Sequence, residues 1–180
     1  MASRFDPTGY LTFDLGTGKV HTRGGDRVVV LPDAALEAIA SAPGAEHTFR
    51  ALGKALAHEV SASLGSPAAG STPEDVATHV GGAFSTLGLG AVSFVTWGPA
   101  LSVSARHVPA SVAPAALGAL LETLIGELCG QELRLVLLSA TVDGESTFAV
   151  VAPDAAPVVA EWATQEKNAA AVLARLGGSA

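Results

Sequence analysis

The sequence predicts an α+β domain in which helices pack on an antiparallel sheet built from hairpins. Short β-branched runs come in pairs separated by Gly- or Pro-containing turns. Between them stand segments whose apolar residues recur at helical spacing. The resulting order of strand, three helices, hairpin, helix, hairpin groups strands with strands, as a layered α+β domain does. At 180 residues the chain suits one domain with a core of its own.

The elements follow in order. Tyr10 to Leu15 alternates, Gly16-Thr17-Gly18 turns, and Lys19 to Thr22 returns. Gly24-Gly25-Asp26 makes a second turn, after which the β-branched run Arg27 to Leu31 is expected to be a strand or a buried extended segment. Pro32-Asp33 opens a short helix carrying Leu36 and Ile39, which Pro43-Gly44 ends. A longer helix over Ala45 to Leu64 aligns Phe49, Leu52, Leu56, Val60 and Leu64 on one stripe, with Gly53 and Ala57 beside it to admit a close backbone. Gly65 to Ser71 reads as a polar loop. Thr72-Pro73-Glu74-Asp75 then combines a hydroxyl cap, a first-turn proline and acids at the positive end of the dipole. That helix carries Val76, Val80 and Phe84 and stops near Gly88. Leu89 to Trp97 and Ala100 to Val108 are paired strands about Gly98-Pro99. A helix over Ala115 to Leu128 ends at Gly130. Leu133 to Thr141 and Ser146 to Ala152 form a last hairpin about Asp143-Gly144. Pro157 begins a terminal helix with Val158, Trp162, Ala169, Val172, Leu173 and Leu176, so residues 1–152 read as the domain and 153–180 as a C-terminal helix.

Composition narrows the function classes. Hydrophobic residues reach 49% and charged residues 15%, against about 25% charged in typical soluble domains. The longest apolar stretches, Ala91 to Ala105 and Ala113 to Gly126, are shorter than the roughly 20 residues a membrane helix needs. The start, Met1 to Pro7, has no apolar targeting segment, and a cytoplasmic location is expected. With a net charge of −7 and no cluster of Lys or Arg, a phosphate-tracking nucleic-acid surface is not expected. The single Cys129 excludes an internal disulfide and a Cys-rich zinc site.

Candidate chemistry gives way to simpler readings. His58 and Glu59 are adjacent on a helix and point about 100° apart, so they do not converge. His107 follows Arg106 at a strand end, where neighbours face opposite ways, and no histidine spacing suits zinc. Gly16-Thr17-Gly18-Lys19 lacks the frame of a phosphate loop and reads as a hairpin turn. No Gly-x-Ser-x-Gly elbow occurs. Cys129 reads as a small buried hydrophobe. No catalytic residue, metal ligand or cofactor is assigned, and the chain is expected not to be an enzyme. The sharpest anomaly is a charge desert: between Asp75 and Glu122 the one formally charged side chain is Arg106. Such a span is a buried core, the lining of a cavity or a subunit interface.

Several motifs together resemble the 4-vinyl-reductase-like domain and the similar TRAPP small-subunit family. They are Arg27-Val28-Val29-Val30-Leu31-Pro32, Leu52-Gly53-Lys54-Ala55-Leu56, Leu87-Gly88-Leu89-Gly90, the helix Leu117 to Gly130, and Asp143-Gly144-Glu145-Ser146-Thr147-Phe148. The resemblance spans residues 5 to 152 and implies a TRAPP-subunit-like fold. Cysteines that hold a metal in many such domains would align near Ala140 and Phe148, which cannot ligate, so no metal is carried over. Gly53 to Leu128 is also similar to the bacterial cellulose synthase D subunit, through Trp97-Gly98 and His107-Val108-Pro109. That resemblance implies a scaffold.

The leading expectation is a non-enzymatic assembly module forming a homodimer or larger scaffold. Its interface would draw on Leu101, Val103, Leu117, Leu120 and Trp162. The alternative is a sensor that binds a small apolar, hydrocarbon-like or aromatic ligand in a cavity lined by Phe84, Phe94, Trp97 and Leu121.

Overall fold

In the computed structural model, which describes residues 5–64, 71–141, 144–166 and 168–178, the chain forms two antiparallel sheets and six helices. The fold is α+β. Most of loop 65–71, together with Asp143 of the last turn and Lys167, lies outside the described residues.

The first sheet is small: β1 (Leu11–Asp14), β2 (Lys19–Thr22) and β3 (Arg27–Val28), in that order. Gly16-Thr17-Gly18 is a turn. Asp14 Oδ1 accepts the N–H groups of Gly16 and Thr17, and the Thr17 hydroxyl donates to Asp14 Oδ2 at 2.6 Å. The run Arg27 to Leu31 departs from expectation. Only Arg27 and Val28 pair, and the register would set Val30 and Leu31 against Gly18 and Thr17, which belong to the turn before β2. Val29, Val30 and Leu31 are exposed instead.

Helices follow. α1 (Asp33–Ala40) buries no residue completely and rests Leu36 and Ile39 on the main core. α2 (Ala45–Leu64) buries Phe49, Gly53, Leu56, Ala57 and Val60 along its stripe. α3 (Pro73–Thr86) is capped by Thr72, whose hydroxyl accepts the Asp75 N–H at 3.2 Å. α4 (Pro114–Cys129) is closed by left-handed Gly130.

The second sheet holds β4 (Ala91–Trp97), β5 (Ala100–Arg106), β6 (Arg134–Ala140) and β7 (Ser146–Val151), ordered β4-β5-β7-β6. Both hairpins form, and β7 inserts beside β5, so α4 carries the chain from an inner strand to the far edge. A register shift between Leu137 and Ser139 interrupts the last ladder. One face of this sheet receives α3 and α4 through Val92, Val103, Ala105 and Phe148, and α2 packs on those two helices. The other carries Val136, Leu138, Ala149 and Val151 against α5 (Ala156–Glu166) and α6 (Ala169–Gly177).

The single terminal helix expected from Pro157 is thus two. Asn168 leaves helical geometry and accepts the Ala170 N–H on its side chain at 3.0 Å, which starts a new helix there. Both pieces pack on the sheet, with Val159, Val172 and Leu173 buried. This layering buries much of the charge desert: Val80, Phe84, Val92, Val103, Ala105, Leu117, Leu120 and Leu121 lie in the core between the sheet and its helices, whereas Val95 and Trp97 at the end of β4 are exposed.

Candidate functional site

A half-open groove of about 440 Å³ lies between α3, the β4–β5 hairpin and the end of α4. Val76 and Val80 come from α3, where positions four apart share a face. Phe94 and Leu101 come from the strands, and Ile125 and Leu128 from α4. Glu74, Thr96 and Cys129 stand at its mouth, all exposed. The volume falls within the roughly 300–1,000 Å³ of small-molecule sites. It exceeds by about threefold the ~150 Å³ engineered cavity that holds benzene. Its walls are apolar, so what it offers a ligand is burial of hydrocarbon surface.

Of the four residues expected to line a cavity, one lines the groove: Phe94. Phe84 and Leu121 are sealed in the core at 1% and 0% exposure, and Trp97 is turned outward at 44%. The division follows from the pleat, since Phe94 and Trp97 are three apart and face opposite sides of the sheet. The residues expected at an interface are also redistributed. Val103, Leu117 and Leu120 lie inside the core, because α4 is wedged between α2 and the sheet. Leu101 lines the groove. Trp162 is half-buried on α5, with the Arg175 guanidinium 4.1 Å above its ring.

Cys129 is another correction. It is exposed at the mouth of the groove rather than buried. The apolar wall beside it still pushes its thiol pKa up, which keeps the sulfur protonated and poorly nucleophilic. Val76, Val80, Ile125 and Leu128 were not singled out from sequence as ligand-contacting. Their helical spacing is that of any core stripe, and the charge desert points to Val76 and Val80 but not to Ile125 and Leu128, which lie beyond Glu122.

The histidines of α2 and α3 do not line the groove. His79 is buried on α3 with Nδ1 2.9 Å from the Asp75 carbonyl, and His58 Nε2 is 3.7 Å from Asp26. Among the described residues no cluster of three His, Cys, Asp or Glu can hold a metal, and no helix is long and apolar enough to cross a membrane.

No protein-family model matches the chain, and no curated protein does. Among solved structures it is similar to the phenol-responsive sensory domain of the transcription activator PoxR, determined with phenol. The TM-score is 0.55 at 13% identity, over 91% of this chain and 92% of that one. The likeness is one of fold.

Proposed function

We propose that this chain is a small-molecule sensor domain whose groove between α3, β4–β5 and α4 takes an uncharged, apolar ligand. The observation that carries the reading is the groove itself: a volume suited to a ligand, walls supplied by Val76, Val80, Phe94, Leu101, Ile125 and Leu128, and, among the described residues of its lining, Glu74 at the mouth as the one charged side chain. Support comes from the fold shared with a sensory domain that responds to phenol. The resemblance to 4-vinyl-reductase-like and TRAPP-subunit-like domains belongs with this proposal, as does the absence of a catalytic step. Binding alone suffices for the role, because a ligand that prefers one conformation shifts its population.

The test is thermal unfolding with phenol and with naphthalene, alongside native mass spectrometry of the protein as purified. A ligand at about 100 times its dissociation constant stabilises the fold by about 2.7 kcal/mol. A raised midpoint with either probe, or a non-covalent adduct lost on denaturation, supports the sensor. Unchanged midpoints together with bare protein mass count against it.

Self-assembly is the second reading, as a homodimer or larger scaffold. The surface that favours it is the tip of the first sheet, where Phe13, Leu15, Val29, Val30 and Leu31 are exposed, Leu15 at 90%. A Val30→Asp variant that lowers the native mass supports this reading, and a wild-type protein that is monomeric at all concentrations removes it.

A further inference from the structure

Glu59 is a buried carboxyl group with no well-formed hydrogen bond. It lies on α2 where the first sheet seats, only 6% exposed, and its two oxygens have the Thr22 hydroxyl and the Asp26 carboxyl as near but poorly aligned polar neighbours. Tyr10, at 1% exposure, is within its electrostatic reach and has an unpartnered hydroxyl. Gly24 closes over the pair of oxygens, since a Cβ there would stand 3.2 Å from each. The seat is narrow: Phe5, Tyr10 and Leu11 pack on the core, while β1 and β3 are otherwise largely exposed.

A carboxylate stripped of water and left unbonded is strongly disfavoured, whereas the neutral acid is far less so and can donate its proton. We propose that Glu59 is a proton-operated latch: neutral, it lets β1–β3 seat on α2, and ionised, it loosens that seat. Burial pushes the Glu59 pKa above the usual carboxylate range; Thr22 and His58 pull it down, and Asp26 pushes it up again. Tyr10, pushed up to about 12 by burial and then by the charge of Glu59, stays protonated throughout. The raised Glu59 value means that the seated sheet holds the proton more tightly than the unseated one. Seating is therefore strongest below the ordinary Glu pKa of about 4.3 and weakens as pH rises through the raised value.

From the first sheet, Arg23 beside Gly24 pairs with Asp6 at 3.3 Å and donates to the Thr8 carbonyl, His21 Nδ1 is 3.3 Å from the Gly25 carbonyl, and Arg27 is exposed. On α2 itself, Arg50 and Lys54 turn toward α4, where they pair with Glu122 and Glu127. From α3 the facing group is His79, screened from Tyr10 by the Phe5 ring, whose centroid is 5.8 Å from His79 and 5.4 Å from Tyr10. Asp33 and Glu37 of α1 are exposed. His58, with Nε2 3.7 Å from Asp26, touches the same seat and is therefore the control residue.

The chain has one tyrosine, so 3-fluorotyrosine incorporation gives a single ¹⁹F resonance inside the latch. The experiment follows that resonance, and hydrogen exchange over residues 11–28 corrected for intrinsic rate, from pH 4.5 to 8. The wild type is expected to show a titrating resonance and exchange that rises with pH, about tenfold for each unit by which the Glu59 pKa is raised. Glu59→Gln, which keeps the shape of the neutral acid, is expected to hold both readouts flat at their low-pH values and to melt higher at pH 8. His58→Gln is expected to keep the titration. A flat wild type overturns the latch, and so does a Glu59→Gln protein that still titrates, which would assign the effect to a histidine.

Discussion

Single residues decide this fold where backbone or charge is confined. Gly53 faces α4, and a Cβ there would collide with the Leu120 carbonyl. An alanine would gain about 1 kcal/mol in helix propensity, but the collision forces α2 and α4 apart at a cost of about 1–3 kcal/mol. Gly53→Ala is therefore expected to lower the urea midpoint despite its better propensity. Glu122 is a second case. Burial pushes its carboxyl up, but bonds from Arg50, the Leu135 N–H and Arg134 outweigh burial and hold it below its ordinary range. The two guanidinium contacts are 2.7 Å each and tie α2, α4 and β6 together. A depressed folded pKa contributes stability that is present above the ordinary Glu pKa and is lost as pH falls through the lowered value. Glu122→Gln should cost about 1–3 kcal/mol at pH 7 and flatten the acid limb of the stability profile, measured by denaturant titration between pH 2 and 7.

At the scale of elements, the helices show what pattern can and cannot carry. The stripe of Phe49, Leu56 and Val60 and the Thr72-Pro73 start were legible because spacing and cap chemistry are local. The break inside the C-terminal helix was hidden. Val158, Trp162, Val172 and Leu173 suit one long stripe, and only the extended backbone at Asn168 and its bond from the Ala170 N–H show that Asn168 caps a second piece. Asn168→Ala should cost about 1 kcal/mol and show faster hydrogen exchange in α6 than in α5. The exposure of Val29 to Leu31 was equally unreadable, since a β-branched run looks the same whether or not a partner strand is long enough to pair with it.

At the scale of the whole molecule, the groove exists only because α3, a hairpin and the end of α4 meet with space left between them. Val76 is half-buried on its wall, so Val76→Trp can occupy that space without disturbing the sealed core. The variant is expected to keep its circular dichroism spectrum and lose the ligand-induced rise in melting temperature. If the rise persists undiminished, the ligand sits elsewhere. The charge-poor span reads differently once this architecture is known. Its apolar residues divide between the core shared by α2, α3, α4 and the sheet and the walls of the groove, so Val103, Leu117 and Leu120 need no second copy to cover them.

The sequence by itself determined the α+β class, nearly every element and the places where turns fall, because periodicity, capping and turn chemistry act over a few neighbouring residues. It also marked the stretch from Asp75 to Glu122 as one that avoids water. Only the tertiary structure decided which apolar side chains are core and which are wall, that Cys129 stands at a mouth, and that Glu59 is shut in under the first sheet near Tyr10. Those outcomes depend on how distant segments close on one another, and an apolar residue at a given spacing looks the same in sequence whichever neighbour finally covers it.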